Sequence, residues 1–112
     1  GSLTTWKQVS IQNDHTAAIK TDGTLWTWGF NFAGELGNGT PSTQYSSPIQ
    51  VGLLTNWSQV SAGPNYTIAV KTDGTLWGFG RNYQGSLGNG TTISYSSPIQ
   101  VGLLNSSTYE NP

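Results

Sequence analysis

Cysteine and methionine are both missing from the 112 residues, and charge is scarce: four Lys and Arg stand against five Asp and Glu, 8% of the chain together. Without cysteine there is no disulfide, no thiolate zinc site and no cysteine nucleophile. So few cations cannot build the continuous basic face on which nucleic-acid affinity rests, so nucleic acid is excluded as a partner. No apolar run approaches the roughly 18 residues of a membrane-crossing helix, so no membrane partner is expected. No charged lead followed by an apolar stretch marks a signal peptide. Helical periodicity is also absent, because 15 Gly and five Pro interrupt every candidate window. What is plentiful is Asn, Ser, Thr, Gly and aromatic residues, a composition common in secreted and cell-surface bacterial proteins, and an extracellular or cell-surface location is the expectation it carries. Gly1-Ser2 reads as a cloning scar, so the chain reads as an expressed segment.

The residues that are present are written twice. TDGTLWTWG at 21–29 returns as TDGTLWGFG at 72–80, and between 6–40 and 57–91 the two copies agree at 21 of 35 positions with a constant offset of 51. YSSPIQVGLL at 45–54 then recurs unchanged at 95–104 with an offset of 50. The residue lost between Thr91 and Tyr95 marks an exposed loop that tolerates a length change. Repetition at this period is the signature of stacked supersecondary units.

Each copy reads as β-structure. HTAAIKT (15–21) and TLWTW (24–28) are β-compatible runs joined at Asp22-Gly23, and YTIAVKT and TLWGF are joined at Asp73-Gly74. Asp-Gly between such runs predicts a hairpin closed by a type I′ turn. WKQVS or WSQVS forms a short strand before each hairpin, and PIQV at 48–51 and 98–101 forms one after it, with Pro48 and Pro98 at a first residue or an edge. One copy is therefore three or four short antiparallel strands. A sheet of that size is marginal alone, and stacking face to face supplies its core, which describes a β-propeller blade.

The pattern W-x-x-V-S, then K-T-D-G-T-L-W, then G-x-N-x-x-G-x-L-G-N-G-T resembles the repeat of the regulator of chromosome condensation family from Trp6 to Leu104, most plainly in WGFNFAGELGNGT (28–40) and FGRNYQGSLGNGT (79–91). The first copy departs from it at SIQN (10–13), where the second has SAGP (61–64), so an irregular inner turn is expected in the first blade. The resemblance implies a propeller, typically of seven blades, serving as a protein-interaction platform. The eponymous nuclear member activates a small GTPase by nucleotide exchange, and a bacterial relative inhibits β-lactamases. Only scaffold residues match here, so neither activity transfers on a motif.

The expected organisation is a lead-in at 1–5, one blade at 6–56, a second at 57–104 and a polar tail at 105–112, where a third repeat would need Trp and Val but Ser107 and Glu110 stand. Two blades cannot close a ring. Trp6, Val9, Leu25 and Trp26, with their counterparts Trp57, Val60, Leu76 and Trp77, are the expected packing and interface residues. Leaving half a dozen large apolar side chains wet would forfeit on the order of 10 kcal/mol, comparable with a whole domain's stability. The fold class is thus all-β, two blades that complete a propeller by homo-oligomerisation. Head-to-tail contacts close a ring of three or four chains. The near-identity of the copies, with Gly1-Ser2, fits a designed or excised piece of a larger repeat protein.

Candidate sites are few. His15 lacks companion ligands and reads as a hydrogen-bonded residue at a strand start, so no metal and no cofactor is expected. The Gly-rich loops lack the Lys and the helix of a phosphate-binding loop. Asp22 and Asp73 occupy matching turns, so with Glu35 they make no converging acid and base, and no catalytic residue is expected. Asn38, Asn56, Asn65, Asn89 and Asn105 open N-x-[ST] triplets that arise from turn chemistry. Phe30 and Phe32, with Arg81 and Tyr83 at the same repeat positions, are the expected ligand surface, because the copies diverge there. The leading expectation is a non-enzymatic, self-assembling scaffold for protein–protein interaction. A lectin-like propeller using the exposed aromatics is the alternative, and a nucleotide-exchange regulator is the family-borne third.

Overall fold

The computed structural model describes residues 5–102; the Gly1-Ser2 lead-in, the last two residues of the second blade, Asn105 and the 105–112 tail lie outside them. The described chain forms eight strands and, among these residues, no helix: β1 (Trp6–Gln12), β2 (His15–Lys20), β3 (Leu25–Gly29), β4 (Tyr45–Gln50), β5 (Trp57–Gly63), β6 (Tyr66–Lys71), β7 (Leu76–Gly80) and β8 (Tyr95–Val101). They pair antiparallel in sequence order into two four-stranded sheets, β1-β2-β3-β4 and β5-β6-β7-β8. The registers match residue for residue, as Val9↔Ala18 and Val60↔Ala69 show.

The hairpins occur where Asp-Gly predicts them, but the turn is not type I′. Gly23 and Gly74 have φ of 86°, whereas Asp22 and Asp73 are not left-handed. Gly23 N–H donates to the Lys20 carbonyl at 2.9 Å, and Lys20 N–H donates to the Thr24 carbonyl at 3.0 Å. This is a turn finished by a glycine bulge. The Asp22 side chain explains the choice: it accepts from Thr24 N–H at 3.1 Å and from the Thr24 hydroxyl at 2.6 Å, and Asp73 repeats this with Thr75.

Two further expectations change. The fourth strand begins at Tyr45, three residues before Pro48. Pro48 is tolerated inside β4 because that strand pairs only with β3, so its other edge needs no donor. The first inner turn is not irregular in length, since Gln12 pairs with His15 as Gly63 pairs with Tyr66. Its handedness differs instead: the left-handed residue is Asn13 in the first blade and Asn65, after Pro64, in the second.

The core lies between the sheets. Ala17, Ile19, Leu25 and Val51 of the first blade pack against Trp57, Val60, Ala69 and Phe79 of the second. Strand alternation explains the selection. Ala17 and Ile19 of β2 face forward to the second blade, and Ala69 of β6 faces back to the first. The blades approach most closely along β1 and β5, the first and inner strand of each.

Candidate functional site

Three places concentrate chemistry: the seam between the blades, the cation–aromatic sandwiches, and the loop surface bearing the divergent aromatics.

The seam is a polar zipper around the apolar core. Gln8 turns its amide onto the backbone N–H and C=O of Val60. Its Oε1 accepts from Val60 N–H at 2.7 Å, and its Nε2 donates to the Val60 carbonyl. Two residues along, Ser10 Oγ accepts from Ala62 N–H at 2.9 Å. These groups lie on the edge of β5 that no strand covers, so side chains of β1 satisfy an edge that would otherwise stay open. Deeper in, the Thr67 hydroxyl donates to the Glu35 carbonyl at 2.9 Å and lies 2.9 Å from His15 Nε2. Its one proton is thereby committed, so Nε2 of His15 is the donor. Burial pushes the His15 imidazole below its ordinary 6.5, against the opposing pull of the Tyr66 and Gln12 carbonyls and the Asp14 charge. At the rim, Trp57 N–H donates to the Gly23 carbonyl at 3.0 Å and Gly39 N–H to the Ser96 carbonyl at 2.6 Å.

The Gly-rich loops are held from inside. Fully buried Asn31 accepts from Leu36 N–H at 3.0 Å and donates to the Thr40 carbonyl at 2.7 Å. Asn82 does the same to Leu87 at 2.9 Å and Thr91 at 3.0 Å. Glu35 lies buried in the first loop. One oxygen accepts from Ala33 N–H at 2.8 Å, the other has no protein partner, and burial raises its pKa above the ordinary value. Asp22 and Asp73 lie on the surface, held below the usual carboxylate range first by the Thr24 and Thr75 hydroxyls. Among the described residues no group of three or more His, Asp or Glu converges.

The expected packing residues divide by position. Leu25 is fully buried, and Trp26, Leu76 and Trp77 are half-buried. Trp57 and Val60 are 3% and 4% exposed, whereas their repeats Trp6 and Val9 are 46% and 56% exposed. Each blade carries a Lys between two indoles. Lys20 Nζ lies 5.0 Å from the Trp6 ring and 4.1 Å from Trp26, and Lys71 lies 5.0 Å from Trp57 and 3.9 Å from Trp77. The indoles of each pair meet edge to face, at 6.3 Å and 6.4 Å.

On the loop surface the four divergent residues pair within their own blades. Phe30 stacks on Phe32 at 6.1 Å, and the Arg81 guanidinium lies 4.7 Å over the Tyr83 ring. Phe32 and Tyr83 are 70% and 63% exposed. Both line one shallow groove of about 210 Å³ with Ala33, Pro41, Ser94 and Ser96. Phe30 and Arg81 open into separate hollows, the first beside Asp14 and Tyr45, the second beside Pro64 and Tyr66. Gln8, Ser10, Thr67, Asn31 and Asn82 are not among the residues expected from sequence. Their only signal is that each is a polar residue kept in both copies.

The same repetition carries the likeness to known proteins. The model of the regulator of chromosome condensation (RCC1) repeat matches residues 22–70 and 73–109, and a second model of that repeat matches 6–35 and 57–86. The chain is 39% identical over 83 residues to the human probable E3 ubiquitin-protein ligase HERC3, covering 72% of this chain and 8% of that protein. It is 38% identical over 78 residues to human protein RCC2, covering 68% and 15%. It is 36% identical over 88 residues to the ultraviolet-B receptor UVR8 of Arabidopsis thaliana, covering 77% and 20%. The chain thus spans a fifth or less of the length of these relatives. In fold it is similar to Prp20p of Saccharomyces cerevisiae, with a TM-score of 0.81 at 18% identity over 94% of this chain and 27% of that one. Human WBSCR16 gives a TM-score of 0.71 at 26% identity, covering 86% and 25%.

Proposed function

The chain belongs to the regulator of chromosome condensation repeat family, and from that membership we propose that it is a non-enzymatic propeller module for protein–protein interaction, whose two blades complete a ring with further copies of themselves. One observation carries the reading. Trp57 and Val60 are nearly fully buried, while the same residues one repeat earlier, Trp6 and Val9, are about half exposed. Residue type and local register are the same, so the missing element is a preceding blade.

Protein partners suit the family. The structure of yeast Prp20p was described with its binding to Gsp1p and histones. Only the class of partner is carried to this chain. The enzyme name borne by HERC3 belongs to a protein of which this chain spans 8%. The partner surface is assigned to the loop side, where Phe32 and Tyr83 stand out from the blades. Light scattering on a size-exclusion column tests the ring: a mass of three or four chains is expected, and a stable, monodisperse monomer refutes it.

The groove shared by Phe32 and Tyr83 favours one second reading, glycan binding by stacking on exposed rings. A glycan array decides it, with binding that is lost on Tyr83→Ala as the supporting result.

A further inference from the structure

We propose that the ring is closed by a backbone clamp: Gln59 of one chain grips the backbone N–H and C=O of Val9 of the next as Gln8 grips those of Val60 within the chain. This rests on the ring-closing reading above and gives that ring its atoms and its direction.

The seam inside the chain is the template. A primary amide has one acceptor and two donors, so a Gln side chain can engage the backbone N–H and C=O of one residue at once, as a neighbouring strand would. Gln8 does this to Val60, and Ser10 takes the N–H of Ala62. The identical Gln59 and Ser61 stand exposed at the matching positions of β5. The backbone groups they would take are the N–H and C=O of Val9 and the N–H of Ile11, on the uncovered edge of β1, and both residues are exposed, at 56% and 66%.

The apolar half of the seam repeats in the same way. Ile19 and Leu25 are fully buried against the second blade. Their repeats Val70 and Leu76 are half open, and Val70 and Ile68 line a hollow of about 430 Å³ beside Gln59. That hollow is where Val9 of a following chain would enter. A second copy therefore meets the same donors, the same acceptors and the same apolar relief that the first blade offers the second. The contact is heterologous, so it builds rings rather than two-fold dimers.

Light scattering on the full chain, with two variants, tests this. Val9→Asp spoils only the face that receives the clamp, and Gln59→Ala spoils only the clamp. Both positions are exposed in the single chain, so circular dichroism should show unchanged sheet in each. Each variant alone should run as a monomer at concentrations where the wild type is closed, with each seam weakened about tenfold or more. Mixed one to one, they should form a dimer and stop, because the intact clamp of Val9→Asp meets the intact edge of Gln59→Ala and no other good pair remains. Wild-type rings that survive both variants would overturn the clamp while leaving the ring. A monomeric wild type would overturn both.

Discussion

The two blades agree at 21 of 35 aligned positions and fold in the same register, yet they bury opposite halves of themselves. The first blade has its forward face covered and its rear face open; the second has the reverse. Val9 and Val60 are the clearest pair, 56% and 4% exposed with the same side chain on the same strand position. The difference shows that burial here belongs to the neighbour a residue is given, and only secondarily to the residue.

The strongest way to break that comparison is to place a charge at both positions. Val60→Asp sets an unpaired carboxylate inside the seam and should destabilise the dilute single chain by about 3–5 kcal/mol. Val9→Asp, in the same dilute chain, should cost under about 0.5 kcal/mol, because the new charge stays in water. Urea melts below the association threshold measure both, and equal costs would abolish the distinction between the faces.

The comparison is sharpened where the blades should behave alike. Asn31 and Asn82 bond only to their own loops. Asn31→Ala and Asn82→Ala should each cost about 2–3 kcal/mol, since each leaves buried backbone groups unpaired. Near-equal losses in thermal melts are expected despite the unequal exposure of the two blades.

The smallest effect is one of pH, and it singles out one blade. His15 has a folded pKa below its ordinary 6.5, so its contribution is fully present above pH 6.5 and is lost as pH falls below it. Its repeat is Tyr66. Glu35 runs the other way: its raised pKa makes its contribution complete below 4.5 and lost as pH rises through the folded value. Its repeat is Ser86. His15→Gln should therefore flatten the stability curve between pH 5 and 7, and Glu35→Gln should raise stability at pH 7. Guanidinium titrations at several pH values read both.

Much of this was legible without coordinates. The repeat, the strand pairs and the hairpin positions follow from identities at a fixed offset and from Asp-Gly between β-compatible runs. The turn type was not, because the Thr24 hydroxyl competes for the Asp22 side chain and selects a bulge over a primed turn. The start of β4 was hidden by Pro48, which rules out a central strand but not an outer one. The Gln8 clamp was hidden for a different reason: its partner is the backbone, and the backbone has no letter in the sequence. A polar side chain on an exposed strand face reads as solvated until the neighbouring edge is known. Sequence did place Phe32 and Tyr83 at equivalent loop positions, but not that they share a groove, since that depends on how the blades are set beside each other.

The paired indoles around Lys20 and Lys71 also make the chain its own optical gauge. The second pair is sealed at Trp57, while the first is half open at Trp6. Adding a blade in front of Trp6 turns the first environment into the second. Tryptophan emission should thus move to shorter wavelength as seams form, reporting closure in a cuvette without any label.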